Sequence, residues 1–193
     1  MEQLKLKLTG IAPLLMHNGR LSDPLDPITK ELKNASKAAT KGTDAGADRT
    51  ARLEYAGSLY LRDDGTLYMP GTAVERALRD GSAGVQKGLK KRFDAAVFVN
   101  DDGIVTVGGK TGKTADALYD AGHVLRVSAR VMSSRIMRTR PKFDTWSTIV
   151  TVDYSPALVD RATVLRAAQY AGEVVGLGDW RPRFGRFSVE VVK

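Results

Sequence analysis

Few side chains in this sequence could transfer a proton at neutral pH. The chain has no cysteine and only two histidines, His17 and His123. The absence of cysteine excludes disulfides, thiolate metal ligands and cysteine nucleophiles. His17 lies between an apolar stretch and a basic segment, so it is a candidate general acid or base, although a surface or packing histidine fits the same pattern. We expect no cofactor and no structural metal.

Two aspartates lie close together in the segment SDPLDP. Asp23 and Asp26 could bind a divalent metal ion or activate a ribose hydroxyl group. An Asx-Pro pair is also a common way to begin a turn. The local pattern favours the turn, and both residues remain catalytic candidates.

Arginine is the residue type whose spacing most clearly suggests binding. In HVLRVSARVMSSRIMRTRP, strand alternation would place Arg126, Ser128, Arg130 and Met132 on one face at intervals of about 7 Å, close to the spacing of phosphates along an extended single strand. A solvated strand face is the alternative, but the guanidinium fork suits phosphate better than lysine does. The other arginines of this segment are Arg135, Arg138 and Arg140.

A second candidate is the segment GLGDWRPRFGRF near the C-terminus. Its glycines would let the backbone approach a ligand or adopt positive φ, its arginines could pair with phosphates, and Trp180 could stack on a base. The alternative is a glycine-terminated helix followed by a turn that packs against the last strand. The residues concerned are Gly176, Gly178, Trp180, Arg181, Arg183, Gly185 and Arg186.

The overall charge points to a polyanionic partner. The chain has 193 residues, a formal net charge of +8 and an isoelectric point of about 9.8. A basic surface concentrates polyanions and releases their counterions on binding. No apolar run approaches the roughly 18 residues of a membrane span, and the N-terminus resembles a first strand and not a signal peptide. We therefore expect a soluble cytoplasmic protein with no membrane partner.

Periodicity predicts the class of fold. EQLKLKLTG alternates as a half-buried strand, and further strands and helices follow in an order that suits an α+β protein. The most similar arrangement is a ferredoxin-like or RRM-like antiparallel sheet with helices on one face. We predict a single domain over 1–193, with a flexible finger at about 20–50, where large apolar side chains are few.

Several local elements can be predicted in more detail. A helix is expected in TAVERALRDG, with Thr72 as its N-cap, Glu75 completing a capping box and Gly81 past its end. A second helix should run from Ser155 to Gly176. LEYAGSLYLRDDGTLYMPG is typical of a hairpin, and TWSTIVTVDY is the expected partner of the arginine strand. VTVGGKTGKT fails as a phosphate-binding loop, because only three residues separate Gly108 from Gly112.

Three segments resemble the RAMP superfamily, the RNA-binding ferredoxin-like proteins of CRISPR effector complexes. YMPGTAVERALRDG is similar to its Pro-Gly motif, GLGDWRPRFGRFSVEV to its glycine-rich loop and final strand, and LKLKLTGIAPLLMHNG to its first strand and polar turn. The resemblance implies phosphate contacts from Arg76 or Arg79, where the usual lysine is missing. Asn18 and Arg20, beside the polar turn, are further candidates for binding nucleic acid. It also implies that Asp23 or Asp26 could occupy the place of an RNA-cleaving aspartate.

The first functional hypothesis is a non-catalytic protein that binds single-stranded RNA or DNA, with copies stacking head to tail into a filament or joining other effector subunits. A divergent or stand-alone member carried by a virus or mobile element would fit the short chain. Two alternatives stay open. One is a metal-independent endoribonuclease that uses His17 or Asp26, and the other is a protein-interaction or inhibitor module with the same fold.

Overall fold

The computed structural model describes residues 1–39, 43–108, 113–131 and 134–192. Over these ranges the chain is a mixed α+β protein with antiparallel sheets, which confirms the predicted fold class at that level. Contacts divide it into two compact units. Unit 1 consists of Met1–Leu15, Thr66–Gly109 and Asp144–Lys193, and unit 2 of Met16–Gly65 and Lys110–Phe143. No helix within the described ranges is long and apolar enough to cross a membrane.

The strands are β1 (Glu2–Gly10), β2 (Leu14–Leu15), β3 (Tyr68–Met69), β4 (Val97–Phe98), β5 (Gly103–Val107), β6 (Val124–Val131), β7 (Ser134–Phe143), β8 (Trp146–Tyr154) and β9 (Phe187–Val191). The α-helices are α1 (Pro27–Ala39), α2 (Asp44–Ser58), α3 (Gly71–Val85), α4 (Leu89–Ala96), α5 (Ala115–Asp120) and α6 (Arg161–Tyr170). A 3-10 turn covers Gly19–Ser22, and a π-helical turn covers Ala171–Val175.

Unit 1 is built on one antiparallel sheet. Its strand order is β3-β5-β8-β1-β9, and β4 pairs with the far end of β8. The alternation of β1 buries Leu4, Leu6 and Leu8 and leaves Lys5 exposed, as the sequence predicts. The buried sides of α3 and α6 complete this core, and the other face of the sheet carries polar and exposed side chains.

Helix α3 begins and ends at different residues from those expected. It begins at Gly71, so Thr72 lies inside the first turn and caps nothing, and Glu75 accepts a hydrogen bond from another segment. Gly81 lies inside the helix and not beyond its end. A Cβ atom there would lie 2.5 Å from the carbonyl oxygen of Ala167 in α6, so a glycine is needed for the close approach of the two helices. The predicted capping box and C-terminal glycine are therefore wrong.

The helical segment formed by α6 and the π-helical turn after it ends at Gly176, as predicted, but begins later than predicted. Asp160 is its N-cap and accepts a hydrogen bond from the backbone N–H of Thr163 at 2.8 Å. This bond, with another from the hydroxyl of Thr163, holds the pKa of Asp160 below its ordinary value of 3.8. The carbonyl of Ser155 instead closes a separate turn. The π-helical turn after α6 stops at Gly176, whose φ is +76°.

In unit 2, the segment expected to be a finger contains α1 and the first half of α2, and these helices pack against each other. Thr43 caps α2, which continues to Ser58. The residues predicted to form the first strand of a hairpin are therefore helical, and that prediction is wrong. Ala51 and Tyr55 are buried four residues apart, which is helical spacing. A single domain with a flexible finger stays a prediction.

The arginine-rich segment pairs with itself. β6 and β7 form an antiparallel hairpin, with Val124 opposite Pro141 and Val131 opposite Ser134. The expected pairing with TWSTIVTVDY is wrong, because those residues form β8 at the centre of the unit 1 sheet. The difference follows from burial. β8 buries every second side chain, whereas no described side chain of β6 or of the start of β7 is buried.

Candidate nucleic-acid interface

The β6–β7 hairpin carries what we call the arginine face, defined as Arg126, Arg130 and Arg135. The register places Arg130 directly opposite Arg135 and Arg126 opposite Thr139. Residues opposite each other in an antiparallel pair point to the same side, so the three guanidinium groups share one face. All three residues are exposed. The sequence predicted Arg126 and Arg130 on one face, and the register adds Arg135; Met132 lies outside the described residues.

The hairpin has no acidic residue of its own to offset its positive charge. Residues 124–143 include six lysines and arginines and no acidic residue. Among the residues that the structure describes, Arg126 and Arg135 form no ion pair. Like charges directly opposite each other destabilise an antiparallel pair. Arg130 lies directly opposite Arg135, so an anion that contacts both guanidinium groups would relieve their repulsion.

Arg138 and Arg140 point to the opposite side of the hairpin. The Glu54 carboxylate of α2 accepts hydrogen bonds from Arg138 at 3.0 Å and Arg140 at 2.8 Å through Oε1, and from the backbone N–H of Thr139 at 2.9 Å through Oε2. Arg140 is only 7% exposed. We therefore assign Arg140 to the interior of unit 2 and not to the binding face, and Arg138 is the partly exposed edge of this ion pair network.

Asp26 begins helix α1 and is held by several donors. Its side chain accepts hydrogen bonds from the backbone N–H groups of Ile28 and Thr29, and it forms an ion pair with Arg20 at 2.9 Å. Burial acts to raise the pKa of Asp26, but the Arg20 hydrogen bond and charge and the backbone donors outweigh it and hold this pKa below its usual range. Such a carboxylate is a weak proton acceptor, which favours the turn interpretation of this segment.

The other residues of this loop also have local contacts. Asp23 is exposed and accepts a hydrogen bond from the backbone N–H of Leu25 at 2.8 Å. The side chain of Asn18 accepts from the backbone of Arg20 and donates to the carbonyl of Leu59. His17 is exposed, and its carbonyl oxygen accepts a hydrogen bond from the Tyr60 hydroxyl. These contacts explain how the loop is shaped, and they assign no catalytic role to His17 or Asp23.

Two further predicted residues lie in unit 1, on α3. Arg79 forms an ion pair with Asp94 of α4, and Arg76 is exposed. Both line a cavity of about 320 Å³ whose lining also includes the buried ring of Phe93. The carboxylate of Asp94 already offsets one of the two cations. Phosphate binding by Arg76 and Arg79 stays a prediction.

The glycines of the C-terminal loop serve close contacts within unit 1. Gly176, Gly178 and Gly185 have φ angles between +74° and +76°. A Cβ atom at Gly185 would lie 1.7 Å from the carbonyl oxygen of Leu177, and one at Gly178 would lie 2.2 Å from that of Leu15. These positions require glycine for backbone packing, which is the alternative that the sequence left open. That packing explains all three without a ligand.

The side chains of the same loop still present a polar and aromatic surface. Trp180 is 40% exposed and has a φ of +51°, which is rare for a bulky residue. Arg183 and Arg186 are exposed, whereas Arg181 donates a hydrogen bond to the carbonyl of Gly176 at 3.4 Å. Backbone strain of this kind tends to occur at functional sites. The loop is thus a second candidate contact, separate from the arginine face.

Sequence reasoning did not find Glu54, which organises one side of the hairpin. No protein-family model matches the chain, and neither does any curated protein. The functional assignment therefore depends on the geometry and charge of the described residues. Helical spacing around Tyr55 was the available signal for α2, but nothing in the local sequence connects Glu54 to arginines more than 80 positions away.

Proposed function

We propose that this chain binds single-stranded nucleic acid, preferentially RNA, through the arginine face of unit 2. The observation that carries the proposal is a hairpin with six cations and no carboxylate, three of whose arginines are exposed on one side. Guanidinium groups bind phosphate through two parallel hydrogen bonds. A β-hairpin holds them at fixed spacing, which suits a repeating polyanion.

The distribution of charge along the chain supports the same function. Residues 110–143 contain eight lysines and arginines and two acidic residues, so this segment supplies six of the eight net positive charges. A protein that used its charge only for solubility would have no reason to concentrate it in this way. A local excess instead raises the local concentration of a polyanion near one surface.

The topology of unit 1 supports a ferredoxin-like fold and the RAMP resemblance as part of this proposal. The elements β1, α3, β5, β8, α6 and β9 follow each other in the chain, and the sheet order β5-β8-β1-β9 places the first and third of these strands in the middle. That is the arrangement of a split βαβ sheet. The Pro-Gly pair begins α3, with Pro70 as its N-cap, and the glycine loop precedes β9. The preference for RNA follows from this resemblance.

Fluorescence anisotropy with a labelled single-stranded RNA, measured over a range of salt concentrations, tests the proposal. For single strands log K falls with log salt by about 0.7 for each phosphate contact, so three arginines predict a slope of about −2. Each of Arg126→Gln, Arg130→Gln and Arg135→Gln should reduce the slope by about 0.7 in magnitude.

The matched control is Arg138→Gln, which removes a cation from the other side of the same hairpin and should leave the slope unchanged. Single-stranded DNA and duplex RNA in parallel establish the preferred strand. Absence of binding at low salt, or equal slopes for all four variants, would show that the arginine face is not the binding surface.

A further inference from the structure

The exposed face of the unit 1 sheet carries large apolar side chains. Ile104 on β5 is 57% exposed, and Ile149 on β8 is 45% exposed. Both line a shallow cavity of about 370 Å³. Their strand neighbours point the other way and are buried, including Val105 and Val150. A β-sheet face with its apolar residues left in solvent usually marks an interaction site.

Side chains on this face form rows that cross three strands. The register pairs Lys5 with Thr151 and Lys7 with Ile149 between β1 and β8. On the other side of β8, Thr106 pairs with Ser147. Continuing that antiparallel register brings Ile104 beside Ile149, and Asp102 beside Thr151. One row is therefore Lys5, Thr151 and Asp102, and the next is Lys7, Ile149 and Ile104.

The charges of these rows complement those of the same rows in a second copy that is rotated by 180° about β8. A half-turn about an axis along β8 exchanges the β1 side with the β5 side, so in a facing copy a lysine would lie opposite an aspartate. Lys5 and Asp102 are exposed, and among the described residues Lys5 forms no ion pair. Oδ1 of Asp102 also accepts a hydrogen bond from the backbone N–H of Gly71 at 3.1 Å, so the carboxylate would be shared with a lysine of the second copy. Ile149 lies on the axis and would pack against its own counterpart. The lysine stem of Lys7 would cover Ile104 of the second copy.

We propose that this face binds a second copy of the chain in a closed two-fold dimer. The charge pattern identifies a second copy as the binding partner. A basic strand and an acidic strand edge flank one apolar centre, and they face each other only after a two-fold rotation. Such a dimer uses the same surface on both copies and so does not propagate into a filament. The inference does not depend on nucleic-acid binding, since all of its residues lie in unit 1.

The size of the face indicates a modest affinity. Strands about 4.8 Å apart and at most about 30 Å long give a five-stranded face of no more than about 700 Å². A standard stable interface buries about 800 Å² on each partner. We therefore expect self-association in the micromolar range and a concentration-dependent equilibrium between monomer and dimer.

Sedimentation velocity over a concentration series from micromolar to near-millimolar tests the dimer. Ile149→Asp places two like charges on the axis, and Lys5→Glu sets a carboxylate against Asp102 of the second copy. Each change should weaken dimerisation by more than about tenfold. Val191→Asp is the matched control, because Val191 is an apolar residue of the same sheet that is 46% exposed and lies outside the rows.

Each possible result either supports or overturns the proposed dimer. A dimer that both substitutions weaken and Val191→Asp preserves would support it. A wild-type chain that stays monomeric throughout, or a dimer that Ile149→Asp leaves intact, would overturn it. So would a Lys5→Glu variant that loses RNA affinity but keeps its self-association, because the face would then be a nucleic-acid contact. Variants of the arginine face should leave dimerisation unchanged, so failure of the two proposals can be distinguished.

Discussion

Glu54 connects the folding of unit 2 to its candidate binding surface. One buried carboxylate accepts hydrogen bonds from three consecutive residues of β7, two of them through guanidinium groups. Removing one partner of a buried ion pair leaves an uncompensated charge in the interior, which usually costs more than the pair itself contributes. Arg140 and Arg126 therefore have opposite roles, although both occur in one arginine-rich segment.

Arg140→Met should lower the free energy of unfolding by about 3 kcal/mol, because Glu54 loses its most buried partner. The effect is at the lower end of the usual range, since Arg138 can still pair with Glu54. Arg126→Met, on the exposed side, should change the free energy of unfolding by no more than about 0.5 kcal/mol. Urea denaturation of both variants measures the difference. Equal effects would mean that the Glu54 network does not stabilise unit 2.

For single residues, local sequence patterns predict which strand face a side chain shares but not which distant partner it contacts. Alternation along one strand places Arg126 and Arg130 on the same face, because that relation is local. The burial of Arg140 depends on Glu54, which is 86 positions away, and no local pattern reports that contact. Strand alternation alone does not distinguish Arg140 from Arg130, so both count equally as candidate phosphate ligands.

Among the elements, the pairing of β6 with β7 had no local sequence signal. Both halves of the arginine-rich segment alternate as strands, but the residues between β6 and β7 are Met132 and Ser133, without the glycine or asparagine that usually identifies a tight hairpin. Strand β1 was predictable because alternation of apolar and polar residues is a strong signal. The end at Gly176 of the helical segment that begins with α6 was predictable because glycine often ends a helix. The close approach of α3 and α6 at Gly81 is a tertiary contact that the sequence does not reveal.

The C-terminal loop allows a test of glycine function by comparison of two sites. Gly185→Ala should destabilise unit 1 by roughly 1–3 kcal/mol more than Gly88→Ala does, because a Cβ atom at Gly185 would overlap the carbonyl oxygen of Leu177. Gly88 also has a positive φ, of +85°, but has nothing within 4 Å of the added atom. Its substitution should cost only the conformational term of about 1–2 kcal/mol.

Thermal unfolding followed by circular dichroism measures both glycine variants. The comparison isolates backbone packing, because the two sites share the unfavourable φ. If Gly88→Ala were as damaging as Gly185→Ala, the loop would not be held by close backbone contacts. A ligand-approach role for Gly185 would then regain support.

At the scale of the whole molecule, the arrangement of charge matters more than its total. The triple variant Arg126→Gln, Arg130→Gln and Arg135→Gln should reduce the salt slope of RNA binding by about 2 in magnitude. A control with the same change in net charge replaces Lys87, Lys91 and Arg92 with glutamine. These three residues of unit 1 are exposed and, within the described chain, form no ion pair.

The control variant should retain most of the slope, measured by anisotropy under the same buffers. A similar loss for both triple variants would mean that the protein attracts RNA through its general charge, with no dedicated surface. The formal charge of +8 predicts attraction to polyanions, but the total does not show that residues 110–143 of unit 2 supply six of those charges. Charge composition therefore predicts the class of partner and leaves its location open.

The Glu54 network has a consequence for how β6 and β7 align. Because side chains alternate, sliding β7 by one position would turn Arg138 and Arg140 outward and remove both cations from Glu54. The carboxylate would then be stranded in a dry interior, so the misaligned hairpin is strongly disfavoured. Glu54 on a neighbouring helix thus favours one alignment of the strands and keeps Arg126, Arg130 and Arg135 on the solvent side, although its own hydrogen bonds go to residues 138–140.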